Sequence, residues 1–103
     1  MNYERYAKVM KALSDPSRVQ IMDMLSCGKM CACDLLEHFD FTQPTLSHHI
    51  KVLKEAGLVN TEKNGTWHHY STNLENVEKV IAFSQEVFSN SERCICHTTK
   101  VEV

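Results

Sequence analysis

The chain contains 103 residues, with 11 Lys and Arg against 13 Asp and Glu, which gives a formal net charge of −2 at pH 7. This length fits one domain, and the 43% share of hydrophobic residues is that of an ordinary globular protein, not a disordered one. This negative net charge argues against non-specific binding to nucleic acid, but it is compatible with a single surface whose local charge favours DNA binding. The chain has no apolar run of membrane-spanning length and no apolar signal core, so we expect a cytoplasmic protein.

Two helices are predicted in the first part of the chain. Apolar residues from Tyr3 to Leu13 recur at helical spacing, which indicates a first helix. Asp15 is a favoured N-cap residue, and Pro16 suits the first helical position because its missing N–H needs no partner there. Gly28 is expected just beyond the end of this second helix. Its predicted buried face carries Val19, Met22 and Leu25, with Ile21 and Met24 beside them.

Two further helices are predicted in the middle of the chain. A short third helix is expected over about 32–39, and Thr42 can N-cap a fourth helix that has Pro44 in its first turn and ends at Gly57. The apolar residues of the fourth helix keep i, i+4, i+7 spacing, which predicts that they face the core. These residues are Leu46, Ile50 and Leu53.

A hairpin and a last helix complete the predicted elements. Residues 58–63 and 66–72 alternate around Asn64-Gly65, which is a strong signal for a β-hairpin. A last helix is expected over about 74–90, and an irregular tail over 91–103. The apolar stripe of that helix is Val77, Val80, Ile81, Ser84, Val87 and Phe88.

The order of these elements predicts a mainly α fold with a small β-hairpin, namely a winged helix-turn-helix. We expect one such domain over residues 1–90, with its helix-turn-helix over about 32–56 and its wing over about 58–72. The alternative is a small helical bundle whose polar helix face is merely solvated.

The fourth helix carries the candidate DNA-reading residues. Glutamine can pair with adenine through two hydrogen bonds, and the hydroxyls of serine and threonine can contact bases or phosphates. Two residues at the hairpin tip, Lys63 and Asn64, could reach the flanking backbone or the minor groove. The candidates on the fourth helix are Gln43, Thr45, Ser47, His48 and Lys51.

Five cysteines are many for a small protein, and their odd number argues against a simple disulfide framework. In a reducing compartment, clustered cysteines indicate metal binding or redox chemistry. Cys27 is expected to be a buried, small apolar residue. Cys31 and Cys33 would lie about 200° apart on a regular helix. Both could therefore bind one ion only if the start of the third helix were non-helical or became distorted.

Two segments resemble the ArsR/SmtB family of metalloregulatory repressors, especially its arsenic-responsive members. They are residues 25–39, which contain the Cys31-Ala-Cys33-Asp-Leu box, and the run Thr42-Gln-Pro-Thr-Leu-Ser-His-His-Ile-Lys-Val-Leu. The similarity extends to Leu13-Ser-Asp-Pro-Ser-Arg and to the Asn-Gly wing. The resemblance implies a homodimer formed through helices at about 2–13 and 74–90. It also implies an operator-binding repressor that needs no cofactor for DNA binding and is released by metalloid at the cysteine box.

As(III) and Sb(III) are soft centres that favour three thiolates, of which Cys31 and Cys33 would supply two. Some arsenic repressors have a further cysteine where this chain has Leu36. The third ligand could instead be Cys94 or Cys96, from the same or the partner chain. Cys27 or an external thiol remains open as well.

The sequence also bears on other metal sites and on functions other than metalloid sensing. A zinc site on the fifth helix would need histidine, which residues 74–90 lack, and the cadmium and lead sensors use cysteines from an N-terminal extension that is not found before Cys27. His48 and His49 are neighbours on a helix and cannot easily chelate one ion.

The chain has no Cys-x-x-Cys pair and no arginine six residues after a cysteine, so a thiol enzyme is excluded. A plain protein-interaction module is disfavoured by the polar, cation-bearing face of the fourth helix. A redox-sensing repressor, or a sensor of zinc, cadmium or lead, stays open.

Overall fold

The computed structural model describes residues 1–89 as five helices and a three-stranded sheet. The helices are α1 (Tyr3–Ala12), α2 (Pro16–Leu25), α3 (Ala32–Leu36), α4 (Gln43–Glu55) and α5 (Leu74–Phe88). The strands are β1 (Met30–Cys31), β2 (Val59–Asn64) and β3 (Trp67–Thr72). The prediction of a mainly helical fold with a small hairpin is confirmed. The predicted tail over 91–103, which contains Cys94 and Cys96, lies outside the described residues.

The helix ends follow the local sequence, with two differences. The Asp15 carboxylate accepts a hydrogen bond of 2.7 Å from the Ser17 amide and so caps α2. Thr42 occupies the N-cap position of α4, but its side chain makes no capping hydrogen bond. The third helix is shorter than predicted, because after Leu36 the chain continues in tight turns and not in α-helix.

The sheet has the strand order β1-β3-β2, and both pairs of strands are antiparallel. Gly65 has a φ of 62°, a conformation that side chains disfavour, and it makes the tight hairpin turn possible. Sequence analysis missed β1, since two residues are too few for an alternating pattern. Its register places Met30 opposite Tyr70 and Cys31 opposite His69.

The core lies where α1, α2, α3, α4 and the base of the hairpin meet. Its least exposed large side chains are Val9, Ile21, Leu35, Leu46 and Leu53. The predicted buried face of α2 was partly wrong, because Val19 is 48% exposed whereas Ile21 is fully buried. Residues four apart lie on one side of a helix, so Ile21 and Leu25 turn inward together and Val19 does not follow them.

The last helix packs against the first. The Phe83 ring lies 5.0 Å from the Tyr6 ring and 6.0 Å from the Tyr3 ring, measured between centroids, and Tyr6 also hydrogen-bonds to Ser84. This contact covers only part of the apolar stripe of α5. Large apolar side chains remain exposed on the two helices, namely Tyr3, Met10, Leu74, Ile81, Val87 and Phe88.

None of the helices within residues 1–89 combines the length and the apolar character that crossing a bilayer requires.

Candidate nucleic-acid interface and thiol site

One face of the fourth helix, α4, is buried in the core, and the opposite face is exposed to solvent. Leu46, Ile50 and Leu53 are buried as predicted, with exposures of 0%, 4% and 0%. All five candidate reading residues on α4 are exposed, and two of them lie in its first turn. They are Gln43, Thr45, Ser47, His48 and Lys51.

His49 is a core residue that sequence analysis did not assign. It is 8% exposed, and its Nδ1 accepts a hydrogen bond of 3.1 Å from the Arg18 guanidinium of α2. Arg18 in turn donates from Nε to the Ala12 carbonyl at 2.6 Å. This pair joins α4 to the turn between α1 and α2 and restrains rotation of α4 about its axis.

Burial lowers the pKa of His49 because it disfavours the charged imidazolium. The Asp15 carboxylate opposes this shift, while the Arg18 guanidinium and His48 add to it. The shift favours the neutral imidazole, and because the Arg18 guanidinium can only donate, the tautomer that fits this contact has its proton on Nε2 and accepts at Nδ1.

The hairpin presents the two predicted wing residues, Lys63 and Asn64, and both are exposed. They belong to β2, whose neighbouring residue Glu62 forms an ion pair of 3.0 Å with Lys29. That contact lowers the pKa of Glu62, chiefly through the hydrogen bond and the charge of Lys29. The ion pair spans β3 and links the part of β2 next to the hairpin tip to the segment that precedes β1.

Cys31 and Cys33 are brought together by the junction of β1 with α3. Cys31 is the N-cap residue of α3 and has extended backbone angles, φ −83° and ψ 161°. Because Cys31 lies outside the helix, its side chain reaches the side of Cys33, and their sulfur atoms pair as a disulfide across a Cα separation of 5.4 Å. The two sulfurs thus share one face without any distortion of a formed helix.

The chemistry of this cluster suits a soft ion. The ligand atoms of Cys31, Cys33 and Asp34 lie within 4.8 Å of one another, and this is the only such group found within residues 1–89. Thiolates prefer soft centres, whereas the Asp34 carboxylate is a hard ligand suited to other ions. The Cys31 sulfur also accepts a hydrogen bond of 3.3 Å from the Asp34 amide.

A depression of about 180 Å³ lies between Cys33, the start of α4 and the hairpin. Cys33 lies on its rim beside Gln43, the first residue of α4, and beside Trp67 and His68 of the wing. Sequence analysis did not predict this arrangement, because it depends on the pairing of β1 with β3.

The remaining cysteines are placed differently. Cys27 is free and exposed, so the prediction that it is buried was wrong. The chain turns away from the core after Leu25, and Cys27 follows that turn. The candidate third ligands Cys94 and Cys96 lie outside the described part of the chain.

The exposed face of α4, its buried support by α2 and α3, and the adjoining hairpin define a winged helix-turn-helix protein. Residues 15–61 match the family model described as "Bacterial regulatory protein, arsR family". The chain belongs to this family, whose members are DNA-binding transcriptional regulators and not enzymes.

The chain is similar over nearly its whole length to two named repressors. It is 46% identical over 100 residues to the arsenical resistance operon repressor of Staphylococcus aureus, covering 97% of this chain and 96% of that protein. It is 47% identical, with the same coverage, to the protein of that name from Staphylococcus xylosus. A solution structure of a homodimeric winged helix-turn-helix domain from Mycobacterium bovis has a TM-score of 0.68 and 31% identity, covering 82% of this chain and 78% of that one.

Replacement of His49 tests the buried contact with Arg18. We expect His49→Ala to lower the free energy of unfolding by about 1–3 kcal/mol, because the Arg18 guanidinium loses a buried acceptor. The free energy is measured by urea unfolding at pH 7.5, with His48→Ala as the control at an exposed neighbouring position. Equal stability of the two variants would remove this role from His49.

The same contact predicts a pH dependence. The pKa of His49 is lower in the folded than in the unfolded protein, so unfolding takes up a proton at low pH. Stability is therefore complete above about pH 6.5, the unfolded value, and falls as the pH decreases through the folded value. His49→Gln should lose less stability than the wild type between pH 7.5 and pH 5.5; an equal loss would contradict this assignment.

Proposed function

We propose that this protein is an As(III)- and Sb(III)-responsive transcriptional repressor that binds its operator as a homodimer. Metalloid binding at Cys31 and Cys33 releases it from DNA. The observation that carries the proposal is the pairing of the Cys31 and Cys33 sulfurs, with Cys33 lining a depression that Gln43 and the wing also line.

DNA binding is supported by the first turn of α4. Gln43 and Thr45 are exposed there, and the backbone N–H groups of a helix N-terminus favour nearby phosphate. Ser47, His48 and Lys51 extend the polar surface along the helix, while Lys63 and Asn64 of the wing can reach the flanking backbone or the minor groove. No cofactor is needed for this mode of binding.

The exposed apolar surface of α1 and α5 supports dimerisation. Ile81, Val87 and Phe88 are 54%, 43% and 81% exposed on one helix, beside Tyr3 at 81%. An apolar surface of this kind is typical of a protein–protein interface. A second copy of the chain would bury it and would set two α4 helices at the half-site spacing of about 34 Å that a palindromic operator requires.

The metalloid chemistry is a condensation. Arsenous acid has three hydroxyl groups on As(III), and each As–S bond forms as one hydroxyl leaves with a thiol proton as water. Cys31 and Cys33 supply two such bonds once they are reduced. We propose that Cys94 or Cys96, from either chain, supplies the third, with Cys27 or an external thiol as the other possible ligands.

Release follows from the position of the thiols. Cys31 is paired to β3 through His69, and Cys33 adjoins Gln43 and Trp67. A metalloid bound there presses on α4 and on the wing together, so it changes the spacing of the reading elements. A coupling free energy of about 1–3 kcal/mol would weaken operator binding by about 5- to 150-fold.

The disulfide between Cys31 and Cys33 favours a second candidate, a repressor that senses oxidants. Joining two thiols would alter the same junction without any metalloid. The two candidates are separated by comparing DNA release by peroxide with release by arsenite in excess reductant, since reductant prevents the first and permits the second.

Dimerisation is tested by placing a charge on the exposed stripe of α5. We expect Ile81→Glu to convert the dimer to a monomer, because a carboxylate would be buried in the interface without a partner. The oligomeric state is measured by analytical ultracentrifugation. Val19→Glu is the matched control, since Val19 is 48% exposed on α2. A dimer that persists in Ile81→Glu would place the interface elsewhere.

Base reading is tested at the start of α4. Gln43→Ala or Ser47→Ala should weaken operator binding by about 1–3 kcal/mol if the residue contacts a base edge. Binding is measured by fluorescence anisotropy on a duplex from upstream of the protein's own gene. Gln20→Ala, at an exposed position of α2, is the control. Unchanged affinity in both variants would exclude these residues from readout.

The inducer site is tested by titrating the reduced DNA complex with arsenite. Wild type should release DNA at low arsenite and ignore zinc, whereas Cys31→Ser and Cys33→Ser should bind DNA normally and fail to respond. Cys27→Ser is measured in parallel, because the cluster of ligand atoms does not include Cys27; a response equal to that of the wild type would exclude Cys27 as the third ligand.

Two results would contradict the inducer assignment. A full arsenite response in either Cys31→Ser or Cys33→Ser would remove that thiol from the site. Release of the wild type by zinc but not by arsenite would make the protein a sensor of a different ion.

A further inference from the structure

A second depression, distinct from that beside the thiols, lies where the C-terminal part of α1 meets α4. It has a volume of about 250 Å³ and contains three cationic side chains, Lys8, Lys11 and Arg18. His48 and Glu55 of α4 also line it. Because the chain as a whole has a net charge of −2, this excess of cations is a local feature.

We infer that Lys8 and Lys11 of α1 bind the DNA phosphate backbone on one side of the major groove that α4 enters. This inference rests on the proposed operator binding and adds a site to it. Phosphate contacts of this kind set the register of a protein on the duplex and are independent of base sequence.

The geometry of α4 supports this assignment. Val52, on the wall of the depression, lies about 180° around α4 from Gln43, which adjoins the wing. Val52 is also about 13.5 Å further along the α4 axis than Gln43. The depression and the wing therefore lie on opposite sides of α4, with the depression toward its C-terminal half. The major groove is about 12 Å wide and is bordered by two phosphate strands. Lys63 of the wing is near one strand, and Lys8 and Lys11 are near the other.

The two lysines are free for this role in a dimer. Lys8 lies about 140° around α1 from Tyr3, whereas Met10 lies within about 20° of Tyr3. Lys8 is thus separate from the exposed apolar side of α1 that the proposed dimer covers, and Lys11, about 80° around α1 from Tyr3, lies between the two sides. Arg18 is held by the Ala12 carbonyl and by His49, so it contributes a fixed positive charge to the floor of the depression.

The test is the salt dependence of DNA binding. For B-DNA the logarithm of the binding constant falls with the logarithm of salt concentration by about 0.9 for each phosphate contacted. The double variant Lys8→Gln, Lys11→Gln should reduce this slope by about 2 to 4, since each dimer loses one or two contacts from each protomer. The reduction should be the same on the operator duplex and on a duplex of unrelated sequence.

Three further variants sharpen the test. Lys8→Arg with Lys11→Arg keeps the charge and should keep the slope of the wild type. Glu55→Gln removes a carboxylate from the depression and should strengthen binding. Lys79→Gln is the control for a general loss of charge, because Lys79 is on α5 and pairs with Glu75 at 3.5 Å.

The outcomes are distinguishable. A wild-type slope in the Lys8→Gln, Lys11→Gln variant, with operator binding intact, would overturn the inference and leave the proposed function standing. An equal loss in Lys79→Gln would overturn it too, since the effect would not be local. Failure of the wild type itself to bind the operator duplex would overturn the proposed function instead.

Discussion

The burial of one face of α4 is the constraint on which the other features of this protein depend. Leu46, Ile50 and Leu53 are removed from water between α2, α3 and β2, and burying side chains of this size stabilises the fold by about 1.5–3 kcal/mol each. With that face held, the opposite face is presented to solvent. The contact between His49 and Arg18 adds a directional restraint that apolar packing alone does not supply. A helix that reads DNA needs this restraint because base contacts depend on its rotation.

The thiol pair is joined to this helix through a very small element. Two residues of β1 pair with β3, and this pairing places Cys31 in extended backbone immediately before α3. Two cysteines at positions i and i+2 of a regular helix point in different directions and could not share one ligand. Because Cys31 is the N-cap residue and only Cys33 is helical, this restriction does not apply here. The same pairing makes the wing and the thiol site parts of one sheet. A ligand at the sulfurs would therefore lie close to α4 and to the wing, so the proposed release of DNA needs only a short-range mechanism.

The distribution of charge matters more in this protein than its sum. A net charge of −2 disfavours non-specific attraction to nucleic acid, while the surface around α4 carries Lys8, Lys11, Lys51 and Lys63 on three different elements. An acidic remainder would also repel DNA from the other faces. Binding would then be confined to one orientation, and a small change at the thiol site would be enough to disturb it.

The sequence alone determined the order of the elements, the two faces of α4 and the hairpin turn. It also determined the resemblance of the Cys31–Cys33 box to the ArsR/SmtB family. Each of these features depends on residues close together along the chain. Periodicity, capping residues and Asn64-Gly65 report local conformation directly. The tertiary structure decided which side of α2 is buried, the exposure of Cys27, the partner of His49, and the approach of Lys8 and Lys11 to α4. These features arise between residues far apart in the sequence, where packing and strand pairing select among several locally acceptable arrangements. The depression that Cys33 lines together with Gln43 and the wing belongs to this second group, since it requires α3, α4 and the hairpin to be assembled together.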